Sequence, residues 1–206
     1  MVVNIESVIT PKNMETQLRV NEMRNYLDYV SKHLDYIRQS LPLVEIVAEK
    51  HPQLKLLIPA LREEVSRHDI SKLEGDEYQA YRRKHYHTPA ELVEYDIEAD
   101  YAKAKETHTL SNPHHWQTAN TSLDILHLMV DWTAKSLEEM DGDNYSTPMS
   151  YYFSGTEDVS IKPELLEDFI YLLSEMDIIL AEIWERSHSV TNRNTYDNQE
   201  DFSELF

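Results

Sequence analysis

Apolar residues recur along this chain at three- and four-residue steps. Leu27, Val30, Leu34, Ile37 and Leu41 share one face of a helix predicted from about Met14 to Leu41. His33 falls on the same side, between Val30 and Ile37. A histidine there is either a satisfied core group or a ligand. Pro42 is expected to break this helix, with a short helical piece from Leu43 to Lys50 beyond it. Pro52 or Pro59 can open the next, because proline suits the first helical turn. Leu54, Leu57, Ile58, Leu61, Val65 and His68 continue one face, and Asp69 ends the run. A buried aspartate needs a partner or a metal to offset its desolvation.

Ile70 to Glu77 reads as a turn entering a helix, with Ser71 as an N-cap. Tyr78, Tyr81 and Tyr86, interleaved with Arg82, Arg83, Lys84, His85 and His87, form the one basic, aromatic stretch. It is either a solvated helix end or a lip that receives an anionic substrate. Thr88-Pro89-Ala90-Glu91 is a helix start, and that helix should run to about His108, its faces marked by Leu92, Tyr95, Ala99 and Ala102. Asn112 is predicted to cap a further helix, with Pro113 first and His114 and His115 in its opening turn, where free N–H groups favour anions. This helix continues to about Met140 with Leu123, His127, Val130, Ala134 and Leu137 on one face and Asp131 close to it. Asp141-Gly142-Asp143-Asn144 is a turn; it lacks the glutamate that a calcium loop needs. Residues 145–161 show no clear period, and Pro163 opens a last helix with a broad apolar stripe from Leu165 to Ile183.

These elements add up to an all-α, single-domain helical bundle of about six to eight helices over residues 1–190, followed by an acidic, flexible tail over 191–206 in which Phe202, Leu205 and Phe206 could dock on a partner. With only 3 glycines the chain is poorly supplied for the turns of a sheet protein. A net charge of −19 disfavours direct binding to a nucleic-acid duplex. No leader and no apolar run long enough for a membrane span is visible, so a cytoplasmic protein without a membrane partner is expected. A homo-oligomer is compatible with the sequence. With no cysteine, any metal must be held by histidines and carboxylates, which suits borderline or hard ions such as Mn, Fe, Co, Zn or Mg. No Gly-rich phosphate loop, Gly-x-Ser-x-Gly or paired Glu-x-x-His is present.

His33, His68-Asp69 and Asp131 therefore stand on or near inward faces of separate helices. This ordered set, over about residues 26–135, resembles the HD-domain superfamily of metal-dependent phosphohydrolases. His68-Asp69-Ile70-Ser71-Lys72 also resembles the His-Asp-x-Gly-Lys string of its HD-GYP and inositol-oxygenase-like branches, with Ser71 in place of glycine and no Gly-Tyr-Pro segment. A further resemblance is to an uncharacterised bacterial and phage family with His-Asp-x-Ser-Lys followed by Asn-Pro-His-His-Trp.

The resemblance implies an HD-type bundle holding one or two divalent transition-metal ions (Mn, Fe, Co, Zn or Ni) through His33, His68, Asp69, His108, His114 and Asp131. It implies catalytic roles for Asp69, which can bridge two ions, and for Lys72, which can bind a phosphate oxygen or protonate a leaving group. Lys72, His115 and Asn112 are expected to bind substrate. His85 and His87 could replace His108 or form a solvated lip, and His127 is either a support for Asp131 or core. The expected activity is hydrolysis of a nucleotide or other small phosphate ester. A di-iron oxygenase on the same fold and a non-catalytic helical binding module with structural histidines are the alternatives.

Overall fold

The computed structural model of the chain describes residues 11–154 and 159–197, without the side chains of residues 11 and 190–197. Among these residues the fold is all-α: α1 (Pro11–Glu49), α2 (Pro52–Lys55), α3 (Ile58–Val65), α4 (Gly75–His85), α5 (Glu91–Glu94), α6 (Ile97–Ser111), α7 (Ser122–Asp141), α8 (Pro148–Phe153) and α9 (Leu166–Asp197). No helix among them is long and apolar enough to cross a membrane.

The helix that carries His127 and Asp131 is central. Ile125 to Val130 are buried without a break, so α7 has no solvated side over that stretch. A Thr121–Asp124 capping box starts it. α1, α3 and α9 pack around it. Val44, Val47, Leu54, Leu61, Phe169, Leu172 and Met176 join its inner residues in one main core. A smaller second core lies to one side, where Tyr26 and Val30 of α1 meet Tyr81 of α4, with Tyr101 of α6 against them. The site described below lies where these two cores adjoin.

Several local expectations change. Pro42 sits inside α1 rather than ending it. Both Pro42 and Arg38, whose carbonyl loses its partner, are exposed, so that carbonyl is not buried without a partner but open to solvent. Burial of Val44 and Val47 beyond it, roughly 1.5–3 kcal/mol each, offsets the proline cost of about 3 kcal/mol. The face of α1 begins with Tyr26 and Val30, and Leu27 is left exposed. The helix expected from Thr88 to His108 is two. Tyr95 is extended, and Asp96 recaps the chain by accepting from the Ala99 N–H at 3.2 Å. Leu92, Ala99 and Ala102 are exposed there, while Glu91, Ile97 and His108 are buried. Glu74 rather than Ser71 precedes α4, and Gly75 at φ 53° makes the left-handed entry. α9 runs on to Asp197, and the rest of the expected tail, with Phe202, Leu205 and Phe206, lies outside the described residues.

The basic stretch after Lys72 is not a solvated helix end. Arg82 is buried and forms a two-pronged ion pair with buried Glu91, with Arg82 Nη1 at 3.0 Å from Glu91 Oε2. Arg82 also donates to the Tyr86 carbonyl at 3.1 Å, and the Thr88 N–H donates to Glu91 at 3.0 Å. Arg83 lies 3.8 Å over the Tyr95 ring and pairs with Asp100, and Lys84 pairs with Glu98. These pairs tie α4 to α5 and α6, the layer that presents His108. Glu91→Ala should cost about 3–5 kcal/mol in urea unfolding, because it strands the Arg82 charge. The double replacement Arg82→Met, Glu91→Leu should cost much less, since no buried charge is left unpaired.

Candidate metal centre

Asp69 owes its position to a backbone turn. α3 ends at Val65, and Asp69 adopts φ 58°, ψ 15°, a left-handed conformation uncommon for a residue with a Cβ. The turn leaves Asp69 almost wholly buried beside His68. The Lys72 carbonyl accepts the Tyr26 hydroxyl at 2.9 Å, which ties the following turn to α1.

Around one Asp69 oxygen a first set of groups converges. His33 Nε2 and His68 Nε2 are 3.2 Å apart. They stand 3.5 and 3.4 Å from Asp69 Oδ2, and each is 3.5 Å from Asp131 Oδ1. A tetrahedral ion with bonds of about 2.0–2.1 Å needs ligand atoms about 3.3 Å apart. These separations match that spacing. His68 Nδ1 lies 3.1 Å from His127 Nε2. With Nε2 as the ligand atom, Nδ1–H donates to His127, which fixes ring and tautomer. His127 thus supports His68, not Asp131.

The other Asp69 oxygen faces a second set. Oδ1 is 3.2 Å from His108 Nε2 and 3.8 Å from His114 Nε2. Ligand atoms of His108, His114 and His115 lie within 4.8 Å of one another. Asp69 Oδ1 and the Nε2 atoms of these three histidines are buried and have no hydrogen-bond partner among the described residues. Four such atoms in one place would be a heavy penalty if nothing bound them, since each unsatisfied buried group costs about 1–3 kcal/mol. His108 Nδ1 is 2.6 Å from Glu77 Oε1, which also accepts from Ser71 Oγ at 3.1 Å. The Nδ1–H group of His108 therefore donates to Glu77, and the Nε2 lone pair is left available to a ligated ion.

The electrostatics favour a cation. Burial alone would raise the Asp69 and Asp131 carboxyls above the ordinary carboxylate range. His68 and Lys72 for Asp69, and His33 and His68 for Asp131, outweigh it and keep both well below the ordinary carboxylate range. Burial pushes His114 down to about 2, and His115 and His127 down to about 4, so these rings are neutral. His68 is also pushed down by burial, but the charge of Asp69 and its bonds to Asp131 and Asp69 raise it to about 9. Its proton provides positive charge at the place a metal ion would provide it. Lys72 Nζ, 2.6 Å from Asp69 Oδ2, adds positive charge at the same oxygen.

A cleft of about 490 Å³ opens over the cluster, and His33, Asp131, Lys72, His108 and His115 are among the residues that line it. Its walls are largely aromatic, including Tyr29, Tyr101, Trp116 and Trp132. His85 joins this wall, stacked on Tyr29 with ring centroids 5.2 Å apart, whereas His87 lies outside it, bonded to the Arg83 carbonyl.

Every histidine and aspartate expected as a ligand is thus brought together. His115, expected to bind substrate, both lines the cleft and joins His108 and His114. Asn112 is a correction. It ends α6 instead of starting a helix, and its side-chain amide donates to the His108 carbonyl at 2.7 Å. Residues 112–121 form turns and bends, so no helix N-terminus at His114-His115 offers N–H groups to an anion. Glu77 was not foreseen, because nothing in its spacing from His108 marks it. Metal titration of the full chain should saturate at two ions. Glu77→Gln should weaken one of them 10–100-fold and leave the other, as read by isothermal calorimetry with Co²⁺ or Mn²⁺.

A protein-family model, described as a family of unknown function (DUF5662), matches residues 22–170. No curated protein and no solved structure matches the chain.

Proposed function

The chain belongs to the family of unknown function DUF5662, and from its site we propose that it is a metal-dependent phosphohydrolase acting on a nucleotide or other small phosphate ester. The observation that carries this reading is the set of unsatisfied buried atoms on Asp69, His108, His114 and His115, beside a second set with metal-like spacing. Asp69 belongs to both sets, one oxygen to each. The order His33, His68-Asp69, His108, His114-His115, Asp131 also resembles the two-metal branches of the HD-domain superfamily.

When bound, a pair of divalent ions polarises phosphoryl oxygens and brings water into its nucleophilic range near neutral pH. The chain's own residues supply the rest. Asp69 holds the two sets at a fixed separation. His127 and Glu77 orient the imidazoles. His33 and Asp131, with 17% and 23% of their side chains exposed, mark the side from which substrate reaches the centre. Lys72 faces the same cleft. Burial disfavours its charge, but Asp69 and Asp131 outweigh burial and hold it above the ordinary lysine range. A lysine so held suits the binding of an anionic oxygen better than proton donation to a leaving group.

The test is hydrolysis of p-nitrophenyl phosphate and bis(p-nitrophenyl) phosphate by protein purified without chelator and analysed for metal. Asp69→Ala should keep its helical circular dichroism, lose bound metal and lose activity. Lys72→Ala should keep its metal and lose roughly 10–100-fold in kcat/KM, the equivalent of a charge-assisted hydrogen bond of about 1.5–3 kcal/mol. Protein that contains no Mn, Fe, Co, Zn or Ni and cleaves neither ester would instead be a helical binding module. Iron with oxygen consumption would assign it as an oxygenase.

A further inference from the structure

Lysines outnumber carboxylates in the lining of the cleft, the reverse of the balance in the whole chain. Asp and Glu outnumber Lys and Arg 38 to 19. Yet among the described residues the cleft is lined by Lys72, Lys105 and Lys135 and by one carboxylate, Asp131, which belongs to the cluster itself. A basic cleft on an acidic protein focuses anions that the remaining surface repels.

Two of these lysines stand in a regular relation to the cluster. Lys105 precedes His108 on α6 by three residues, and Lys135 follows Asp131 on α7 by four. Each is therefore one helical turn, about 5 Å along the axis, from a residue of the centre. Both line the same cleft. Lys105 has no carboxylate partner among the described residues. Lys135 is held at 3.4 Å by Glu138 and 3.9 Å by Glu139 on its own helix, exposed contacts that an incoming anion can displace at little cost. Lys72 marks the inner position, against Asp69. The cations thus form an inner and an outer tier.

We infer that the cleft recognises a substrate with two phosphoryl groups, the inner one at the Asp69 centre and the outer one held between Lys105 and Lys135. This rests on the phosphohydrolase reading for the inner position. A lone phosphate at the centre would leave the outer lysines without a counter-charge. A second phosphoryl group joined through a bridging oxygen reaches about one helical turn outward and meets them. The aromatic wall of Tyr29, His85 and Tyr101 lies beside Lys105 and fits an organic portion attached to that end. Lys105 and Lys135 are then specificity-determining residues, not catalytic ones.

The experiment measures binding of inorganic pyrophosphate and of orthophosphate to the full chain loaded with Mn²⁺, by calorimetry at low and at physiological salt. Wild type should bind pyrophosphate at least about tenfold more tightly, and Lys105→Ala, Lys135→Ala should reduce that preference to less than about threefold. Both residues are on the surface, so the fold should stay intact, as thermal unfolding checks. Any pull of pyrophosphate on the Mn²⁺ itself is common to both proteins and drops out of the comparison. Equal binding of the two anions by wild type, or an unchanged preference in the double variant, overturns the inference. p-Nitrophenyl phosphate turnover in the same samples separates the two claims. Turnover without a lysine-dependent pyrophosphate preference removes the outer site alone. Lysine-dependent pyrophosphate binding without turnover of any phosphate ester removes the hydrolase and leaves an anion-binding cleft.

Discussion

A carboxylate buried to the extent of Asp69 has to be matched by positive charge or it does not stay ionised. Much of this architecture serves that match. Its two oxygens point into two different groups of side chains, one drawn from α1, the end of α3 and α7, the other from α6 and the turn after it. Helices from both cores must therefore be in place before the charge is balanced. The left-handed backbone at Asp69 is the local cost of aiming a side chain between them.

The supports around the centre follow the same logic. Imidazoles have two nitrogens, and a ring that offers one to a cation needs a partner for the other. His68 has His127 and His108 has Glu77. Glu77 is carried by α4, which is joined to α5 and α6 by the Arg82–Glu91 pair and its neighbours. Charges read from the sequence as a possible surface lip thus act partly in the interior, as braces behind a ligand. The main core does the equivalent for Asp131, since α7 is buried on every side through the turn that precedes it.

The cleft shows how a strongly acidic chain can still present a cationic approach. Carboxylates dominate the composition, but those nearest the cluster are either part of it or, like Glu77, turned to its histidines. Exposed lysines a turn away from His108 and Asp131 then line the cleft, Lys135 with Glu138 and Glu139 beside it on its own helix. Composition and net charge describe the average surface, and they bear on bulk partners such as a nucleic-acid duplex. They do not bear on a local field.

The helical character, the inward faces of His33 and His68, and the absence of thiolate chemistry were determined by the sequence, because period and residue type are local properties. His33, His68, Asp69 and Asp131 were also legible there as candidates, because each falls on or near an inward helix face. The boundaries at Pro42, Tyr95 and Asn112 were not. Whether a proline is tolerated or a helix is recapped depends on what is buried on either side, and neighbouring residues do not carry that information. The role of Glu77, the attachment of His127 to His68 rather than Asp131, and the joining of His115 to His108 and His114 were decided only by tertiary structure. Each depends on distances across helices that sequence separation does not encode.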